Sequence, residues 1–413
     1  PTAHAPGSSD DLAVPFPLFH TVVPQVTSAQ RRVLIADEHF TLGHLRLAWS
    51  LCIELWEENI RSPMLTAVLG EMMLLRNRPA EAEPLLRMAV DQQQGNPRLI
   101  ALLAECLRRS ARLAEASEIY RKLGRVAFAG KLRRLADGGQ YVLADSAAVS
   151  LPWVPHAELP LVEAHVNGVA GHFLMDTGVG ETLIDPSLAL DGRVEASGVE
   201  TIHFPSGPDG QVSHAIIDSL ALGELELGRV PAQVHATREV FAGLLPIPVD
   251  GILGTGLFSR LPTTLDYRER VLRIGDRERL TEGAPLYLAT DQYPLVDATI
   301  NERTQTLLFL DTGMIGAAVA LPFSTAEAAD VEVARHIEGT GFGISSTLQA
   351  RPFICRTLEA AGARLTDLPG MLIGNFRLEH QFRFHVGGLL GDGFVNTAAL
   401  TLDFGTMRVA RRS

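Results

Sequence analysis

Two short runs in this chain combine residue types that can do acid–base chemistry. Asp176-Thr177-Gly178 follows the apolar Phe173-Leu174-Met175, and Asp311-Thr312-Gly313 follows Leu308-Phe309-Leu310. A strand that ends this way puts a carboxylate on a tight loop. Gly178 and Gly313 have no Cβ, so two such loops can approach face to face. Two carboxylates that close cannot both ionise, and they share one proton as a coupled pair. The charged member can take a proton from a water held between them, while the protonated member donates to a carbonyl. One Asp-Thr-Gly arises by chance in a chain this long on the order of a tenth of the time at average residue usage. Two in matched settings form a strong signal.

The elements that must position them are themselves duplicated. Pro160-Leu161-Val162-Glu163-Ala164-His165-Val166-Asn167 recurs as Pro294-Leu295-Val296-Asp297-Ala298-Thr299-Ile300-Asn301, each copy alternating like a half-buried strand. Beyond each aspartate, Val249-Asp250-Gly251-Ile252-Leu253-Gly254-Thr255-Gly256 answers to Val386-Gly387-Gly388-Leu389-Leu390-Gly391-Asp392-Gly393. Thr264-Leu265-Asp266-Tyr267 is then echoed by Thr401-Leu402-Asp403-Phe404. Four matched blocks in one order predict two similar β lobes, over about 159–285 and 286–413.

This arrangement resembles the aspartic peptidases, closer to a fused retropepsin-type pair than to a full-length pepsin. The resemblance implies that Asp176 and Asp311 are catalytic. It implies that Thr177, Gly178, Thr312 and Gly313 support their loops, with Ile252-Leu253-Gly254 and Leu389-Leu390-Gly391 packed behind. It also implies a hairpin flap over the substrate in each lobe. The first candidate carries His203, Phe204, Ser206 and Gly207, and the second Gly341, Phe342 and Gly343. The sequence departs from the family after each Asp-Thr-Gly, where Val179 and Met314 replace the usual Ser or Ala. Neither side chain donates a hydrogen bond to the carboxylate, so activity is expected at milder pH than in gastric-type enzymes.

Upstream, the pattern from about 28 to 137 is helical and repeats at one interval of 34 residues. Ala48, Ala82 and Ala116 follow it, as do Gly43, Asn77 and Ala111, and Ile35, Leu69 and Leu103. Pro63 and Pro97 open the second and third units. This resembles tetratricopeptide (TPR) repeats, whose helix pairs bury their apolar faces by stacking. Residues 1–27 read as a flexible arm, and 138–158 as a linker or first strand.

The 413 residues are 46% hydrophobic and carry a net charge of −12, which argues against a nucleic-acid binder held by phosphate contacts. It argues equally against docking on an anionic membrane, with Lys131-Leu132-Arg133-Arg134 as a local basic patch. No run of about 18 apolar residues predicts a membrane span. Cys52, Cys106 and Cys355 are far apart with no paired spacing, which fits a reducing, cytoplasmic setting and predicts no disulfide or zinc site. The histidines lack metal-ligand spacing and there is no Gly-x-Ser-x-Gly elbow. The run Gly251 to Gly256 lacks a P-loop lysine, and Asp266, Asp403 and Cys355 read as structural.

The expected architecture is a TPR-like helical repeat domain followed by a bilobal pepsin/retropepsin-like β-barrel domain. With both lobes in one chain, the site is complete in a monomer. The leading function is a metal-independent aspartic endopeptidase with no cofactor, acting on a peptide or protein substrate. Its helical domain recruits that substrate or a protein partner. The alternatives are acid–base chemistry on a small-molecule substrate, as in a lyase, dehydratase or cyclase, and a non-catalytic peptide-binding module.

Overall fold

The computed structural model describes residues 27–143, 148–202, 209–275, 279–333, 339–343, 346–374 and 376–412, without the side chains of 339–350, 379 and 380. The expected arm therefore lies almost wholly outside the described residues. Helices α1 (Ser28–Thr41), α2 (Leu45–Glu57), α3 (Pro63–Leu75), α4 (Pro79–Gln92), α5 (Pro97–Arg109), α6 (Leu113–Lys122) and α7 (Val126–Ala136) stack in sequence order. Thr27 opens α1 with a reciprocal capping box to Gln30, while Ser62 and Asn96 cap α3 and α5 just before Pro63 and Pro97.

The 34-residue interval has a structural meaning. Gly43, Asn77 and Ala111 are the left-handed residues that turn the chain within each helix pair, with φ of 79°, 52° and 59°. Ala48, Ala82 and Ala116 are fully buried where the helices cross. Ile35 breaks the pattern, because it faces solvent whereas Leu69 and Leu103 are buried.

The stretch from 138 to 158 supplies strands rather than a free linker. Val142–Leu143 pairs with Leu225–Val234 of the first lobe, and Val149–Pro152 pairs with Val271–Ile274. Two β-barrel lobes follow. In the first, Leu161–Val166 and Val169–Met175 form a hairpin, and Gly210–Leu222 pairs with both Leu161–Val166 and Leu225–Val234 to close the barrel. In the second, Pro294–Ile300 and Thr304–Leu310 form the equivalent hairpin, closed by Ser346–Ala360.

Between the lobes lies a sheet built around a pseudo-twofold axis. Thr263–Asp266 pairs antiparallel with Ala399–Asp403, placing Thr264 opposite Thr401, and their hydroxyls meet at 2.9 Å. Asp266 and Asp403, the duplicated acids, close turns. Asp266 accepts the Arg268 and Glu269 amides, and Asp403 accepts those of Leu280, Gly405 and Thr406.

The helices bridge both lobes. Phe40, Leu45, Ala48, Leu55, Leu65 and Leu69 of α1–α3 share one core with Leu295, Leu307, Phe309, Val386 and Leu389 of the second lobe. Phe40 stacks edge-on against Phe384, with ring centroids 5.5 Å apart. At the other end, α7 lies against the first lobe: Lys131 pairs with Glu181, and Arg134 donates to Ser197 Oγ at 2.9 Å. Lys131 is fully buried at this interdomain seam, whereas Arg133 and Arg134 are exposed, so only two cations of the run face solvent. Among the described residues no helix is long and apolar enough to cross a membrane.

Candidate active site

Each catalytic-type loop leaves the end of a strand that is clamped from its far side. Val169–Met175 runs parallel to Gly251–Leu253, and Thr304–Leu310 runs parallel to Leu389–Leu390. The Asp176 amide donates to the Leu253 carbonyl at 3.1 Å, and the Asp311 amide to the Leu390 carbonyl at 2.9 Å. The two loops are then tied to each other. Thr177 N donates to Thr312 Oγ1 at 3.0 Å, and Thr312 N donates to Thr177 Oγ1 at 3.1 Å. Thr177 Oγ1 in turn donates to the Leu310 carbonyl at 2.7 Å. All four groups are buried away from water, so each bond avoids the cost of an unpaired polar atom.

This lattice brings Asp176 and Asp311 together, so that the Gly313 amide lies within hydrogen-bond reach of Oδ1 of both carboxyls. A Cβ on Gly178 would come within 2.6 Å of Asp311 Oδ1, and one on Gly313 would strike the Asp176 carboxylate. Glycine is therefore required at both positions by close approach. The surroundings of the two acids differ. Asp176 is buried and its Oδ1 accepts the amides of Gly178 at 2.7 Å and Gly313 at 3.0 Å, whereas Asp311 is half-buried and its Oδ1 accepts the Gly313 amide at 3.1 Å. Burial raises both carboxyls above their ordinary value. Asp311 goes well above it, because the Asp176 charge adds to burial, while backbone amides work the other way at both carboxyls. Of the two carboxyls, Asp311 is thus the one pushed further toward its protonated form.

The loops behind the pair are not equivalent. In the first lobe Thr255 Oγ1 donates to the Thr177 carbonyl at 3.1 Å. The duplicated position holds Asp392, which accepts the Gly316 amide at 2.9 Å and whose carboxyl burial pushes up to about 6. The sequence held the signal for this difference, a Gly-Thr-Gly answered by Gly-Asp-Gly. Val179 and Met314 are both buried, so their side chains pack and offer the dyad no donor.

Of the flap candidates, His203, Phe204, Ser206 and Gly207 lie outside the described residues. The arms that lead to them, Ala196–Ile202 and Gly210–Leu222, pair antiparallel up to Ile202 opposite Gly210. Gly341, Phe342 and Gly343 lie in a strand, Gly339–Gly343, paired with the start of Ser346–Ala360, and their side chains are outside the description.

Sequence reasoning missed a cavity of about 670 Å³ beside Gly178. One wall is the loop Val179, Gly180 and Glu181 together with the foot of the first hairpin, Glu200 to Ile202. The opposite wall is helical: Glu105 and Arg108 of α5, Tyr120 of α6, Arg125 and Phe128. The connection between the lobes, Asp291-Gln292-Tyr293, closes the gap, with Asp291 and Gln292 both left-handed at φ 56° and 63°. A Cβ on Gly180 would strike the Asp291 carbonyl, so glycine is needed there for the connection to pass. No periodicity or motif marks these residues. Among the described residues, no group of three or more His, Cys, Asp or Glu is arranged to hold a metal ion.

Comparison with known proteins agrees with this architecture. An aspartyl protease family model matches residues 162–257, the first lobe through its Ile-Leu-Gly loop. A tetratricopeptide repeat family model matches residues 73–129. The chain thus carries an aspartic-protease-like domain preceded by a TPR-like helical region. Among solved structures it is similar to a retropepsin-like aspartic protease from Rickettsia conorii. That match has 15% identity over 31% of this chain and 89% of that one, with a TM-score of 0.22. No curated protein matches the chain.

Proposed function

We propose that this protein is a metal-independent aspartic endopeptidase. The observation that carries the reading is the pair Asp176 and Asp311 at the tips of duplicated strands, whose Oδ1 atoms share the Gly313 amide. Asp176, ionised and held by two amides, takes a proton from a water between the carboxyls. The water oxygen bonds to the carbon of the scissile amide as Asp311 gives its proton to the carbonyl oxygen. Collapse of the tetrahedral adduct breaks the C–N bond as Asp176 gives its proton to the leaving amine, and the re-forming carboxyl returns a hydroxyl proton to Asp311. The pair supplies both base and acid, so these steps call on no metal or cofactor. Thr177, Gly178, Thr312 and Gly313 hold the geometry, and the two hairpins close over the substrate.

The close approach of the two carboxyls around the Gly313 amide argues against a non-catalytic binding module. The helical wall favours a second reading, acid–base chemistry on a compact molecule, because it bounds the space beside the dyad. The inner helices are already occupied: Arg109 donates to the Leu288 carbonyl at 3.1 Å and also to that of Ala289. We therefore assign the helical region to orienting substrate at the cleft. A monomer contains the whole site. Buried thiols at Cys52, Cys106 and Cys355, the first two pushed up to about 12, support a cytoplasmic location.

The test is cleavage of a mixed peptide library between pH 3 and 8, read by mass spectrometry, for wild type, Asp176→Asn and Asp311→Asn. Cuts made by wild type and lost in both variants support the peptidase. No cuts at any pH from folded protein reject it in favour of the small-molecule reading.

A further inference from the structure

Arg108 and Gln292 line a second cavity as well, one of about 200 Å³. It lies where α5, the segment Gln140-Tyr141, the turn Thr255–Phe258 and the connection between the lobes meet. It is smaller than the ~300–1,000 Å³ of pockets for drug-sized ligands, so it suits one small group or ion.

Its chemistry is one-sided. No carboxylate lines it, whereas Arg108, Arg109 and Arg260 all do. Behind the wall, Glu105 is the counter-charge to both Arg108 and Arg109. Arg109 is fully engaged, with Nε on Glu105 and its other nitrogens on the carbonyls of Leu74, Leu288 and Ala289. Arg108 gives Nε and Nη2 to Glu105 at 2.7 Å each, which leaves Nη1 for another acceptor. Arg260 is exposed at the cavity's edge, and among the described residues no carboxylate pairs with it. Its guanidinium lies 5.2 Å from the centre of the Tyr141 ring.

Neutral donors converge on the same space. Tyr141 is 5% exposed, and among the described residues its hydroxyl has no hydrogen-bond partner. That hydroxyl sits at the wall, because a Cβ on Gly256 would lie 2.7 Å from it and 2.6 Å from Gln292 Nε2. Burial pushes the phenol up, so it stays a donor. The Tyr141 backbone is left-handed at φ 52°, which is rare for a bulky residue. Gln140, also nine-tenths buried, lines the cavity, and among the described residues its amide is unpartnered. A buried donor without an acceptor is costly, and an anion here would supply one.

We propose that this cavity binds a phosphate group, as the free ion or as a monoester. Three arginines against one glutamate leave two positive charges, which match the ~1.5–2 negative charges of a phosphate at pH 7. Arg108 Nη1 and the Arg260 fork supply charge-assisted donors, and the Tyr141 hydroxyl and Gln140 amide supply neutral ones. The bound group ties α5, the segment 140–141 and the turn at Gly256 to one another. That turn holds the loop after Asp176, since the Gly256 amide donates to the Gly180 carbonyl at 2.8 Å. Occupancy therefore braces the dyad from behind. The site is independent of the peptidase reading, and its test needs no substrate.

The experiment titrates the full chain with inorganic phosphate and with glycerol phosphate, in chloride buffer of fixed ionic strength. Calorimetry and thermal melting are read for wild type, Arg260→Gln and Tyr141→Phe. Wild type is expected to bind one phosphate and to melt higher with it. Arg260→Gln weakens binding about tenfold or more, and Tyr141→Phe about three- to tenfold. Without phosphate both variants melt close to wild type, because one removes an exposed, unpaired cation and the other an unpartnered hydroxyl. Tighter binding of glycerol phosphate than of the free ion identifies a phosphorylated small molecule as the source, and the reverse order identifies the ion. No binding to wild type overturns the proposal and leaves the cavity to water. Undiminished binding in either variant overturns it too, because the phosphate then sits elsewhere.

Discussion

The two lobes present the same sheet face to different partners. In the first, Leu161, Leu174, Leu183, Val249 and Ile252 are covered by the lobe's own loop, through Phe241, Leu245 and Ile247. In the second, the duplicated Leu295, Phe309, Ala320, Val386 and Leu389 are covered by α1–α3. Polarity follows the cover. Asp250 in the first lobe pairs with Arg238 at 2.6 Å and accepts the His172 amide at 2.7 Å. The second lobe has Gly387 there, packed on Thr306. One scaffold can thus complete its core from within or borrow a domain to do so. The borrowed domain becomes a wall of the cleft.

Four perturbations break or sharpen this comparison. The largest is at the dyad, where the lobes meet as near equals. Asp176→Asn and Asp311→Asn each reduce kcat/KM by about a thousandfold or more while the fold persists, checked by peptide turnover beside thermal melting. Equal activity in either variant would make one lobe's loop dispensable.

Next is the borrowed core. Phe40 is fully buried between α1 and the second lobe, so Phe40→Ala costs about 3–5 kcal/mol in urea unfolding. Amide exchange should quicken at 386–390 and leave 249–253 protected. Phe241→Ala reverses that order.

The third concerns the loops behind the dyad. The Asp392 carboxyl is pushed from its ordinary 3.8 up to about 6, so the folded protein binds that proton more tightly than the unfolded chain. Stability falls as pH rises across that interval. Asp392→Asn therefore leaves stability unchanged below it and raises it at pH 7, by at most about 3 kcal/mol. Its counterpart Thr255→Val loses a buried hydrogen bond and costs about 1–2 kcal/mol at either pH. The smallest effect is at Arg238, half exposed, where Arg238→Ala costs about 1 kcal/mol or less.

Duplication made the paired lobes and the meeting of Asp176 with Asp311 legible, because matched blocks imply matched positions. The helix pairs were legible through Pro63, Pro97 and the 34-residue interval. Where the helices sit was not. The faces of α1–α3 that cover the second lobe have the same apolar periodicity as faces that cover other helices. Lys131 misled because a basic run looks like a solvated surface until Glu181, distant in sequence, is placed against it. The cavity beside Gly178 carried no signal, since the loop, the helices and the connection at 291–293 that enclose it lie far apart in sequence.

The central claim is that Asp176 and Asp311 share one proton that Asp311 holds above the ordinary carboxylate range. The direct measurement is the carboxyl carbon NMR titration of aspartate-labelled protein, with Asp176→Asn and Asp311→Asn supplying the assignments. The account expects the pair to titrate in two separated steps, the upper lying well above an ordinary aspartate and vanishing in either variant. Two independent transitions near the ordinary value, each unmoved by substitution of the other residue, would contradict it.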